Sequence, residues 1–487
     1  MQVQGRSPWS CVLRPASAAA CALAAVLLSG CGGGASGGSD PVLRWNEIAQ
    51  EVAGVDHRYV TREEDPRAGG WQFGPTRTSR AFAIVHVAIA DAVAAITGDF
   101  APYLSTAPAP RPTSLDAAVA QAAHDTLAAL YPLQVDDLAA ALDDALAEIA
   151  DGPARANGVA LGRATAVAIL AERAADGSQD QTPFQPVEYE YGIEPGDWRA
   201  DPLYPEARPL TPYWGIVEPF VIAGPTVFRA PPPPALDSPE YAAAFAEVKA
   251  MGGDGDGTPS LRTPDQTVAG IYWGYDAQPF VCAPVKLYNQ IAVLLARQRR
   301  LSVSDSARLL ALVNLAMADT GVVVWETKYY YDFWRPVTAI READAGSGPT
   351  GKGDGNPDTA GDPTWRALGA PANHGSGRNF TPPFPAYTSG HAGFGGAVFG
   401  ILRRFFGRDD IRFRFVSDEF NGVTVDQDGQ VRPLLPRTFA SLSQAEEENG
   451  QSRVYLGVHW SFDKVEGTRQ GNRVADVVFE SAMQARR

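Results

Sequence analysis

Apolar residues recur three and four positions apart through most of this 487-residue chain, which lays them along one face of a helix. Alanine, the strongest helix former, fills many of the positions between them. The spacing predicts helices over 43–52, 79–96, 114–130, 135–149 and 154–175 in the N-terminal half. Further helices are expected over 238–249, 264–275, 284–299, 304–327 and 389–406; 439–448 leads back to the stretch 452–463, and 469–483 closes the bundle. Ser114 and Asp151 stand where N-caps or helix punctuation belong. A chain this long exceeds what one ordinary core needs, so at least two packed units are expected. An internal echo agrees, because Ala-x-Ala-Asp closes at Asp91 in one long helical run and at Asp319 in another. The expected fold is all-α, with two helical bundles, 41–236 and 237–487, and long irregular connecting loops.

Residues 1–30 stand outside that fold. Arg6 and Arg14 precede a small, apolar run over 18–28 that ends in Leu28-Ser29-Gly30-Cys31, the pattern of an export signal. The final tetrad resembles a bacterial lipobox, which implies cleavage before Cys31 and acylation of its thiol. The product would be a lipoprotein held at a membrane and facing the periplasm or the cell exterior. Residues 31–40, rich in Gly and Ser, then form a flexible tether. No later run is expected to reach the roughly 18 apolar residues of a spanning helix. With Cys11 and Cys21 removed and Cys31 acylated, Cys282 has no partner, so no disulfide is expected and Cys282 reads as a buried small hydrophobe.

The formal net charge is −15, and losing Arg6 and Arg14 moves it two units further negative. Such a surface argues against nucleic acid or anionic lipid as a partner. Cations are therefore the minority charge, and a local cluster of them is informative.

Three stretches of the C-terminal half gather such groups. The first, 328–336, reads KYYYDFWRP. Lys328 and Arg335 are seven apart, so on one continuous helix they share a face and can converge on one anion, a point charge beside a planar fork. The second, 384–392, reads FPAYTSGHA and opens a Gly/Ala-rich helix. Ser389 and the Gly390 amide can donate to an oxyanion at a helix N-terminus, with His391 beside them as acid or base. The third, 452–463, reads SRVYLGVHWSFD. On a helix His459 and Asp463 are neighbours, so the carboxylate can fix the imidazole tautomer. Arg453 needs a bend at Gly457, or partners from elsewhere, to join them.

Lys-x6-Arg-Pro, Ser-Gly-His and Ser-Arg-x5-His-x3-Asp, in that order, resemble the vanadium-dependent haloperoxidases and the acid phosphatases of the type-2 phosphatidic acid phosphatase superfamily. The resemblance implies that Lys328, Arg335, Ser389, Gly390 and Arg453 hold the oxygens of vanadate or phosphate. His459 would be the axial ligand of vanadium or, in a phosphatase, the nucleophile, and His391 the acid/base. Asp276 resembles the acid that pairs with the arginine matched by Arg453. Trp325 and Phe384 resemble the apolar wall of chloroperoxidase-type sites. Two departures stand out: Thr388 replaces the usual proline, and the interval from His391 to Ser452 is longer than common. The implied reaction is oxidation of halide by hydrogen peroxide to hypohalous acid, with an organic acceptor able to follow; the alternative is phosphomonoester hydrolysis.

The remaining segments read more plainly. Residues 176–236, rich in Pro and aromatics, are expected as an ordered wrap, either roofing the site or simply packing; 343–383 is expected to rim its entrance. A hairpin is expected around Asp428-Gly429. His86 and His124 read as hydrogen-bonded core or interface histidines, His57 as exposed in a charged segment, and His374 as a surface loop residue. The GGDGDG run at 252–257 reads as a solvated turn rather than a calcium loop.

Overall fold

The longest helix of the computed structural model, α9 (Val303–Tyr331), is buried on nearly every side, as a sequence apolar all round requires. The structure describes residues 40–58, 65, 67–179 and 188–486. The leader, Cys31 and most of the tether lie outside the described residues.

Before α9 come α1 (Pro41–Asp56), α2 (Pro75–Thr97), α3 (Leu115–Leu130), α4 (Val135–Ala147), α5 (Pro153–Glu172), α6 (Pro239–Met251), α7 (Pro264–Tyr272) and α8 (Pro284–Arg299). After it come α10 (Pro336–Glu342), α11 (Gly390–Phe406), α12 (Leu442–Tyr455) and α13 (Ser461–Ser481). Seven of these helices carry proline in the first turn, where the missing N–H costs nothing. Ser114 caps α3 as expected, whereas Gly152 rather than Asp151 precedes α5. The only sheet among the described residues pairs β1 (Phe413–Phe415) with β2 (Arg437–Phe439), antiparallel. An isolated bridge, Val425 to Val431, closes the expected turn at Asp428-Gly429.

Helix α9 packs against α2 on one side and α11 and α13 on the other, within one compact unit beginning at Asp40. One hydrophobic core runs through both halves. Helices α11 and α13 approach most closely: a Cβ on Gly471 would collide with the Gly393 carbonyl, and one on Gly396 with that of Thr468. Gly407, with φ of 66°, ends α11.

Two expectations are corrected. Helices α2 and α9 are both long and apolar enough to cross a membrane, contrary to the sequence reading; 78% and 94% of their most apolar windows are buried inside the protein, so their apolar surface serves the core. His57 is fully buried, because Asp56 beside it folds inward to accept the amides of Trp71 and Gln72. The His57 ring pairs with the Ala53 carbonyl at 2.7 Å and accepts the Gly74 amide at 3.0 Å, and burial lowers its pKa to about 4. Among the described residues Cys282 is a free, buried thiol with its sulfur 3.5 Å from that ring.

Candidate active site

Lys328 and Arg335 converge, but not along one helix. Helix α9 ends at Tyr331, Asp332 caps it in the left-handed region with φ of 48°, and Arg335 is the N-cap of α10. The break, rather than a shared helical face, brings the two cations together around the carbonyls that precede α11. Lys328 Nζ donates to the Pro385 and Ala386 carbonyls at 2.7 and 2.9 Å, and Arg335 Nε to that of Phe384 at 2.8 Å. The Phe384 ring lies 5.0 Å from Lys328 Nζ and 4.9 Å from the Arg335 guanidinium, with Trp325 tilted against it at 4.9 Å. Its electron-rich face is a favourable surface for both cations.

His459 and Asp463 also meet differently from expectation. His459 lies before α13, and Asp463 sits in its first turn. There Asp463 Oδ2 accepts both the Trp460 amide at 3.1 Å and His459 Nδ1–H at 2.8 Å. One carboxylate thus caps the helix and fixes the imidazole. Arg335 Nη1, which can only donate, lies 3.0 Å from His459 Nε2, so that nitrogen carries the lone pair. Gly457, with φ of 72° and its α-carbon against the Gly252 backbone, makes the bend that returns Arg453 on α12 to this side.

Arg453 Nη2 donates to Asp276 Oδ1 at 2.8 Å, the pairing that the resemblance implied. Ser389 caps α11 by accepting the Ala392 amide at 3.4 Å, and Gly390 is the first helical residue, whose amide lacks an intrahelical partner. His391 Nε2–H donates to the Gly274 carbonyl at 2.5 Å, leaving Nδ1 as the basic nitrogen. Thr388, in the position of the usual proline, is buried and donates to Gln470 Oε1 at 2.5 Å.

Electrostatics set this region apart. Lys328, Arg335 and Arg453 are each at most 1% exposed. Burial, then the neighbouring guanidiniums, drives the Lys328 pKa well down, and burial lowers Arg335 to about 9. Burial and the three cations hold both His391 and His459 well below the usual imidazole range, hence neutral. Burial raises Asp276 and brings Asp463 to about 7. Within this crowd Arg335 Nη2 and Arg453 Nε and Nη1 are buried without any hydrogen-bond partner among the described residues. Orphaned charged donors are costly, and a multiply charged oxyanion is what would satisfy all three at once.

A cavity of about 440 Å³ opens onto Arg453, His391, His459 and Gly390. Trp325 and Phe384 stand in its wall, with Phe394 from α11. Both irregular segments reach it: Tyr204, Arg208 and Leu210 from the wrap, and Ser376, Arg378 and Phe380 from the 343–383 loop. The N-terminal half adds Phe73 and Pro75. His374 is half-buried against Phe280 at 5.4 Å and stands outside the cavity wall.

Sequence reasoning missed one supporting network. Buried Glu419 accepts the Tyr275 amide at 3.0 Å and the Asn373 side chain at 2.9 Å, and pairs with Arg432 at 2.6 Å. It thereby fixes the backbone between Gly274, which holds His391, and Asp276, which holds Arg453. No local pattern around Glu419 announces this.

Fold and site together define a helical protein in which buried Arg and Lys donors crowd beside two neutral imidazoles, a donor set that a small oxyanion would satisfy. Residues 308–487 match the family described as the VCPO second helical-bundle domain. The chain is 33% identical to vanadium chloroperoxidase of Curvularia inaequalis over 87% of its own length and 78% of the relative's. It therefore belongs to the vanadium-dependent haloperoxidase family. Its fold is similar to that of a bacterial vanadium-dependent iodoperoxidase, with a TM-score of 0.69 at 23% identity over 91% of this chain and 97% of that one. It is also similar to a holo-type bacterial vanadium-dependent chloroperoxidase, with a TM-score of 0.63 at 18% identity over 86% and 95%.

Proposed function

We propose that this protein oxidises halide with hydrogen peroxide to hypohalous acid, using vanadate held in the buried cradle. The observation that carries the reading is the trio of unpartnered guanidinium N–H groups on Arg335 and Arg453, set around a His459 Nε2 that bears a lone pair. These groups fit a small, multiply charged oxyanion. Lys328, Arg335 and Arg453 would balance its charge, Ser389 and Gly390 would bind it at the N-terminus of α11, and His459 would ligate vanadium. Bound vanadate would supply a Lewis-acidic centre that activates peroxide toward halide.

The side chains do the rest. Neutral His391 takes a proton from hydrogen peroxide at Nδ1, since its Nε2–H is committed to Gly274. Asp463 holds His459 in the tautomer that presents Nε2, and Asp276 aims Arg453. Trp325 and Phe384 give halide an apolar wall, which makes the pocket chloroperoxidase-like. Export and acylation at Cys31 belong to the same proposal; a Cys31→Ser chain should leave the membrane fraction, and one that stays there refutes the anchor.

The test is dye bromination with bromide and peroxide, with and without orthovanadate, beside phosphomonoester hydrolysis. Vanadate-dependent bromination is expected. Phosphate release without halogenation would replace this reading with the phosphatase one, in which His459 attacks phosphorus and His391 protonates the leaving group.

A further inference from the structure

The cavity is far larger than halide, peroxide and a small oxyanion together need, and its volume of about 440 Å³ lies in the range that takes a drug-sized ligand. Beyond the cradle its wall is mainly apolar, formed by Phe73, Leu210, Phe380, Pro382 and Phe394. At the outer end two exposed arginines line it, Arg208 from the wrap and Arg378 from the entrance loop. Neither makes a hydrogen bond or ion pair among the described residues, in a chain where Asp and Glu number 56 against 41 Lys and Arg. The Tyr204 hydroxyl donates to the Asn379 carbonyl at 3.0 Å and joins the two segments that carry them. Among the described residues the single acid lining the cavity is Asp276, already paired with Arg453. An apolar chamber with two unpaired cations at its rim and a neutralised floor complements one ligand class.

We infer that the outer cavity is an acceptor subsite for an aromatic carboxylate, its ring among the apolar side chains and its carboxylate held by Arg208 and Arg378. The inference rests on the haloperoxidase reading for its chemistry. Hypohalous acid formed at the cradle meets the ring directly, the ring C–H becomes C–halogen, and the displaced proton leaves with hydroxide as water.

Binding is tested apart from turnover, by calorimetry with naphthoate and its neutral analogue naphthamide on protein kept in excess orthovanadate, so that the inner cradle is filled. Naphthoate should bind about tenfold more tightly than naphthamide. In the Arg208→Gln/Arg378→Gln double variant the ratio should fall to about twofold or less. Equal binding of the two probes, binding of neither, or a preference that survives in the variant would overturn the subsite. A protein that shows the charge preference but oxidises no halide keeps the subsite and loses the haloperoxidase reading. One that oxidises halide without the preference loses only the subsite.

Discussion

Helices α2 and α9 carry the same device. Asp91 on α2 accepts the amides of Tyr103 and Leu104 at 2.6 and 2.9 Å, and Asp319 on α9 accepts those of Phe220, Val221 and Ile222 at 2.5, 2.8 and 3.0 Å. Each buried carboxylate pins an irregular segment to the helix surface. Five residues earlier the echo holds again: His86 pairs with Asn46 on α1 at 2.8 Å, and Asn314 exchanges two 2.9 Å hydrogen bonds with Asn289 on α8. The α1–α2 pair thus repeats as α8–α9. What differs is the end. Helix α2 stops at Gly98, with φ of 76°, whereas α9 runs on to Lys328 before breaking at Asp332. A common scaffold serves both halves, and the extension of α9 alone reaches the cradle.

The largest test of that contrast removes the chemistry from one helix and an equivalent buried group from the other. Lys328→Ala should lower vanadate-dependent bromination by about a hundredfold to a thousandfold, the scale of losing one preorganised charge at a reacting oxyanion. His86→Ala should leave the rate within a few-fold while lowering the denaturation midpoint. If His86→Ala is as inactive as Lys328→Ala, the two helices share more than a scaffold.

The second test treats the pinning carboxylates alike. Asp319→Ala strands three amides and should cost the more by chemical denaturation, at up to about 1–3 kcal/mol for each donor left unpaired. Asp91→Ala strands two and should cost less, at about 1–3 kcal/mol for each buried donor left unpaired. Only Asp319→Ala should also weaken orthovanadate binding, because Lys328 is on its helix. Equal loss of vanadate affinity in both variants would break the distinction.

A third test asks whether the difference between halves lies in α9 alone. Glu419→Gln would turn an amide toward the Tyr275 N–H and Arg432, loosening the segment that carries Gly274 and Asp276. About a tenfold fall in kcat/KM for bromide is expected, with the denaturation midpoint nearly kept. An unchanged rate would confine the site-forming difference to α9 and the motifs it meets.

The helices were legible because burial against a core enforces three- and four-residue spacing, and Lys328, Arg335, Ser389, His391, Arg453 and His459 were legible because they sit in short ordered patterns. How they meet was not. The break at Asp332 and the capping role of Asp463 depend on where the helices end, which periodicity leaves open by several residues. His57 was misread because Asp56 and Arg58 make its surroundings look wet, although Asp56 turns inward. Tyr204, Arg208 and Arg378 come from segments that were expected near the site but have no periodicity, so nothing local singled out these side chains. Glu419 acts through tertiary contacts alone.

The smallest expected effect concerns proton linkage in the paired carboxylates. Burial raises Asp91 from its ordinary value to about 7 and Asp319 to about 6, against the amide hydrogen bonds that oppose the rise. A carboxyl whose pKa is higher folded than unfolded holds its proton better in the native state. Its contribution to stability is therefore greatest below the unfolded pKa near 3.8 and declines as pH rises through the folded value. The buried neutral histidines pull the other way in acid, so the parent's absolute Tm mixes both signs; the difference between parent and variant isolates the carboxyl. The Tm advantage of the parent over Asp91→Asn should be flat above about pH 7 and widen by a few degrees as pH falls toward 4. For Asp319→Asn the widening should begin nearer pH 6 and be smaller, since the third amide of that site favours the charged form. If the two curves coincide, the additional amide at Asp319 does not tune the carboxyl, and the copies are electrostatically identical despite their different partners.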